Sequence, residues 1–167
     1  GLWPTVVMGN HDQPRIYSIY ADFVSPDHAD RMAKLIATYE LTAKGTPFLY
    51  YGEEIGMENM RFSSVDQLKD LFGVEYYRYL VEVEGRSEDD ALHTAQRVAR
   101  DKCRTPMQWS PSAQAGFSTA TDTWQIVNPN YVERNVEKER VHRASILNYY
   151  RGLIGLRAQY EALKAGD

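Results

Sequence analysis

The sequence predicts an α/β fold built on a parallel sheet, and three observations lead there. Two short apolar runs, Pro4-Thr5-Val6-Val7-Met8 and Pro47-Phe48-Leu49-Tyr50-Tyr51, flank a single helical stretch. Strand, helix and strand in that order form a β-α-β unit, whose crossover sets the two strands parallel. The first run closes on Asn10-His11-Asp12, so a strand end delivers a carboxylate beside an imidazole. The C-terminal ends of parallel strands are where such folds build their pockets.

Each element has a local cause. Pro4 to Met8 is short, continuous and β-branched, the pattern of a strand buried on both faces. Gln13 to Val24 reads mostly as loop. Ser25-Pro26-Asp27 starts a helix with a capping serine, a proline in the first turn and an early acid. Met32, Leu35, Ile36 and Tyr39 then follow at the spacing of one apolar face, and Gly45 marks the stop. Beyond the second strand, Ser64-Val65-Asp66-Gln67 matches a capping box opening a helix. Ser87, followed by Glu88, Asp89 and Asp90, opens another. Those acids, with Glu84, read as a solvated helix start rather than a cation site. Cys103 to Tyr131 lacks periodicity and reads as loop, with one short strand near Trp124 to Val127. A stretch of that length and irregularity is the texture of an active-site wall. A last helix is predicted over Val141 to Leu163, with Ile146, Tyr149, Tyr150, Leu153 and Ile154 on its buried face.

Composition excludes several classes. The net charge of −4 lacks the basic footprint of nucleic-acid binding. No run approaches the roughly 20 apolar residues of a membrane span. Cys103 is the only cysteine, so no internal disulfide forms and no thiol cluster exists for a metal; it reads as a small buried hydrophobe. Neither a metal site nor a cofactor is expected. Twelve tyrosines and three tryptophans suit sugar stacking, and equally an ordinary core.

Taken as residues alone, a strand-end Asn-His-Asp is either a catalytic group or a satisfied polar cluster. Glycoside hydrolysis needs carboxyl groups around an oxocarbenium-like transition state. Asp12 supplies one negative charge and His11 a hydrogen bond to a sugar hydroxyl. A carboxylate that grips hydroxyls harder as the ring distorts stabilises the transition state preferentially. Glu53 and Glu54 read as structural or helix-start acids.

Asn10-His11-Asp12, Tyr50-Tyr51-Gly52-Glu53-Glu54-Ile55-Gly56-Met57 and Arg100-Asp101-Lys102-Cys103-Arg104-Thr105-Pro106-Met107-Gln108-Trp109 together resemble the α-amylase superfamily of glycoside hydrolases, in its α-glucosidase and oligo-1,6-glucosidase branch. Gln13-Pro14-Arg15, Ala115-Gly116-Phe117-Ser118, Trp124 and Val127-Asn128-Pro129-Asn130-Tyr131 follow the branch in order. The resemblance implies the C-terminal part of a (β/α)8 barrel, strand 7 through helix 8, over residues 1–163, with an irregular insertion at about 58–140. Residues 164–167 then begin a truncated C-terminal β-domain. It implies that Asp12 is the transition-state-stabilising aspartate and that His11 and Arg100 bind the sugar in subsite −1. Arg104 reads as structural.

A whole barrel needs roughly 250 residues. Gly1 is therefore expected to be an internal cut, with the nucleophile and the acid/base outside the chain. The chain alone is expected to be inactive and poorly folded, with unpaired strand edges. Two departures from the branch stand out: Ser110 replaces a usual aspartate, and Phe72 stands where oligo-1,6-glucosidases carry an acid. The implied activity is a retaining α-glucosidase acting on small, maltose-like α-glucosides. The alternatives are a trehalose synthase or other transglucosylase, and a non-catalytic amylase-like transporter heavy chain. The single cysteine fits a cytoplasmic location; oligomeric state is not encoded legibly.

Overall fold

The structure is a computed structural model that describes residues 2–165, with side chains through Lys164. Its sheet has two strands, β1 (Thr5–Val7) and β2 (Thr46–Phe48), paired in parallel with Thr5 opposite Thr46 and Val7 opposite Phe48. Between them run α1 (Ile16–Ala21) and α2 (Pro26–Thr42). The predicted β-α-β unit is present, with an added helix. Residues 16–21 were expected as loop; burial of Ile16 and Tyr17 makes a turn of helix there that local pattern does not announce.

The main core lies between α1, α2 and α6 (Ile146–Gln159). Helix α2 presents Ala29, Ala33 and Ala37 to Ile146, Tyr150 and Leu153. Small side chains let the helix axes approach, so the buried face is the alanine face. Of the predicted face only Ile36 is buried, while Leu35 and Tyr39 are exposed. Ile154 of α6 likewise lies on the open side, and Tyr149 sits at the edge of the α2–α6 contact with its hydroxyl 2.8 Å from Thr38 Oγ1. Strand β1, expected to be buried, has Val7 about half exposed at 47%. Burial on both faces requires neighbours that two strands do not provide.

The stretch after β2 is a long excursion with two helices, α3 (Leu71–Glu82) and α4 (Glu88–Val98), packed as a pair. Ser87 caps α4 by accepting from the Asp90 N–H, as its spacing predicts. Ser64 caps only a single 3-10 turn, Val65–Gln67, and α3 begins later. Arg86 bridges Glu84 and Asp90, so the acidic start of α4 is internally compensated. Residues 124–127 form no strand; 124–125 are a bend.

The span 141–163 predicted as one helix holds the last residue of α5 (Val136–Val141), then α6 and the start of α7 (Glu161–Ala165). The break has a cause. Ser145 caps α6 through the Asn148 N–H, while the Asn148 amide donates to the carbonyls of Glu139, Arg140 and His142. Those bonds close the end of α5 and start a new helix. Of the segment read as the start of a β-domain, Lys164 and Ala165 lie in α7, and residues 166–167 fall outside the described residues.

Candidate active site

The turn after β1 is built by Asn10. Its Oδ1 accepts the Asp12 N–H at 2.8 Å, a tight local turn that side-chain amides favour. That turn lifts Asp12 out of the strand line and leaves its side chain about half exposed at 48%. His11 Nε2 lies 3.4 Å from Asp12 Oδ2, and the imidazole is open to solvent.

The excursion reaches back to this strand end. A 3-10 turn at Arg100–Cys103 carries two arginines, four residues apart, to the same carboxylate. Arg104 Nη2 donates to Asp12 Oδ1 at 2.6 Å, and its Nε donates to the His11 carbonyl at 2.7 Å. Arg100 Nη1 stands 3.5 Å from Asp12 Oδ1. Cys103 Sγ donates to the His11 carbonyl at 3.4 Å, so the buried thiol backs the turn, and burial pushes it up from its ordinary range. Asp12, His11 and Arg100, the three residues singled out from sequence, therefore meet at one strand end.

Two further residues complete the cluster. Arg104, read as structural, makes the shortest bond to Asp12; the spacing of two arginines around Cys103 was the available signal. Asp70 is the other. Its carboxylate accepts from Arg100 Nη2 at 2.7 Å, from Nε at 3.0 Å and from the Arg100 backbone N–H at 2.9 Å. Hydrogen bonds from the Arg100 side chain hold that carboxyl down at about 2. No motif marks Asp70, because its partner lies thirty residues away.

The second strand end contributes support. Arg15 lies over the rings of Tyr50 and Tyr51 and donates to the Tyr51 carbonyl, tying the loops after both strands together. Gly52, at φ +88, closes that turn where a Cβ would strike Met57 and Arg15. Glu53 is buried against Gly9, accepting the Tyr50 N–H at 3.1 Å. Burial first, and the Glu40 charge second, raise its carboxyl to about 8; burial raises Glu40 to about 7. Glu54 instead lines a cavity of about 470 Å³ walled by Tyr51, Arg104, Trp109, Phe117 and Trp124.

Ser110 Oγ meets Ser112 Oγ at 2.6 Å. Phe72 is exposed, two residues past Asp70, and stacks on Tyr76. Among the described residues no group of acids, histidines and cysteine could hold a metal ion, and no helix is long and apolar enough to cross a membrane.

A family profile described as the alpha amylase catalytic domain matches residues 1–166. An oligo-1,6-glucosidase of Parageobacillus thermoglucosidasius is 38% identical over 164 residues, covering 98% of this chain and 29% of that protein. A trehalulose synthase in complex with Tris superposes with a TM-score of 0.87 at 38% identity, covering 99% of this chain and 30% of the other. An isomaltulose synthase from Erwinia rhapontici, in complex with sucrose, superposes with a TM-score of 0.85 at 36% identity, covering 99% and 29%. The chain thus spans about three-tenths of the length of these relatives.

Proposed function

Because the chain belongs to the alpha-amylase catalytic-domain family, we propose that it is the C-terminal portion of a (β/α)8 catalytic barrel, strand 7 to helix 8, in a retaining α-glucosidase-type hydrolase of short α-glucosides. Asp12 is the transition-state-stabilising carboxylate, and His11 and Arg100 contact the sugar in subsite −1. The observation that carries this reading is the half-exposed Asp12 carboxylate fixed at a strand end between Arg104 and Arg100. A carboxylate pinned by two guanidinium groups does not reorient when the sugar ring flattens. Its hydrogen bonds to ring hydroxyls can therefore strengthen as positive charge develops, which is preorganised stabilisation. Arginine suits this post because its planar fork stays charged and holds two partners at once.

The nucleophile and the acid/base come from upstream barrel strands outside the 167 residues. The chain by itself is expected to turn over no glycoside, and its exposed strand edges and Val7, Phe48 and Leu49 are expected to pack against that part of the barrel. The test is an assay of the complete barrel on 4-nitrophenyl α-glucoside, maltose, isomaltose, trehalose and sucrose. Release of glucose from at least one is expected. No turnover on any of them sinks the enzymatic reading and favours a non-catalytic amylase-like subunit.

One observation favours a second reading, transglucosylation or sugar isomerisation. A trehalulose synthase and an isomaltulose synthase resemble this chain about as much as the oligo-1,6-glucosidase does, at 38% and 36% identity against 38%. Product analysis separates the two: an isomerised disaccharide in excess of free glucose supports the second.

A further inference from the structure

Asp70 has no part in the roles given above, yet its surroundings are built around one purpose. The residue is 7% exposed and stands at the start of α3. Its two carboxylate oxygens take the Nε and Nη2 hydrogens of Arg100, one full edge of the guanidinium fork, while Oδ2 also takes the Arg100 backbone N–H. The clamp is reciprocal. Asp101 Oδ2 accepts the backbone N–H groups of Lys69 and Asp70, at 2.9 and 2.8 Å. Residues 69–70 and 100–101 are thereby locked to each other by side-chain and backbone bonds running both ways. With one edge of the fork committed, the Nη1 edge is the one left to face Asp12.

We propose that Asp70 is a positioning residue that locks the Arg100 guanidinium with its Nη1 edge turned to Asp12 and the bound sugar. This rests on the subsite −1 reading of Arg100. A long arginine side chain has many rotamers open to it; a bidentate buried carboxylate removes that freedom before substrate arrives. Asp70→Asn would keep the shape and lose both the charge and one acceptor. A displacement of about 1 Å at a positioning group costs up to roughly 10²-fold in rate.

The experiment uses the complete barrel and four variants: Asp70→Asn, Asp70→Glu, Arg100→Gly and the double variant Arg100→Gly/Asp70→Asn. Asp70→Asn is expected to lower kcat/KM by roughly 10- to 100-fold, with Asp70→Glu recovering part of the loss. Millimolar guanidinium is expected to restore part of the activity of Arg100→Gly, because Asp70 still seats the ion, and none in the double variant. A merely structural Asp70 would not govern that rescue. Equal rescue in both, or Asp70→Asn within about twofold of wild type, overturns the proposal. A wild-type barrel without activity counts against the functional reading instead. Positioning is then decided by the crystal structure of Asp70→Asn: a displaced Arg100 guanidinium supports it, and an unmoved one overturns it.

Discussion

Two regions of this chain achieve order by different means. The β1–β2 unit with α1, α2 and α6 has a packed apolar core, where alanines of α2 meet Ile146, Tyr150 and Leu153, with Arg157 donating to the Leu41 and Ala43 carbonyls at its margin. The excursion from about residue 58 to 135 is held by polar atoms reaching distant backbone, as with Asp101 on Lys69 and Asp70, or Gln108 on the Arg134 carbonyl. The site lies where the two meet. The strand end provides Asp12 and His11, and the excursion provides Arg100, Arg104 and Asp70. A packed scaffold tolerates one exposed, charged strand end. A hydrogen-bonded loop can aim arginines at it.

Breaking the scaffold should cost most. Ile146 is fully buried against α1 and α2, so Ile146→Ala in the complete barrel is expected to destabilise by about 2–5 kcal/mol in chemical denaturation. A loss under about 1 kcal/mol would mean the packed core is not what holds this region.

The buried carboxyls beneath β1 should produce the next effect, through pH. Glu40 and Glu53 titrate near 4.5 when unfolded and near about 7 and about 8 when folded. Between those values the unfolded chain gives up protons that the folded chain keeps, so stability falls as pH rises from about 4.5 to about 8. The slope is at most ~1.4 kcal/mol per pH unit for each carboxyl. Glu53→Gln is expected to flatten that slope, gaining on wild type at pH 8 relative to pH 5. Parallel curves for the two proteins would show that Glu53 is not the titrating group.

Smaller effects sharpen the contrast from the other side. Asp101→Ala leaves two backbone N–H groups without their acceptor and is expected to cost about 1–3 kcal/mol while also loosening Arg100. Ser145→Ala removes only the α6 cap, and about 1 kcal/mol in the same denaturation series is expected. If Ser145→Ala proved costlier than Asp101→Ala, the excursion would not depend on its polar clamp.

The same contrast explains what could be read from the sequence. The two strands, the helix starting at Ser25 and the Ser87 cap are local signals, and each is present. The buried face of α2 was misread because Leu35 and Tyr39 are larger than the alanines that actually pack; size on a helix wheel does not reveal which side a neighbour approaches. The split at Ser145 lay in a Ser-x-x-Asn cap whose amide serves α5 as well, a signal hidden inside a continuous helical pattern. Asp12, His11 and Arg100 came from motif resemblance, and the structure brings them together. Asp70 lies in no motif, and its partner Arg100 is 30 residues away.

The central claim is that the carboxylate at the end of β1 stabilises charge in the transition state of glycoside cleavage. Asp12→Asn in the complete barrel tests it most directly, because the substitution removes the charge and keeps the shape. A fall in kcat of roughly 10³, worth about 4 kcal/mol, with little change in KM on 4-nitrophenyl α-glucoside is the expected result. Unchanged kcat would make Asp12 a structural partner of Arg104 and contradict the account.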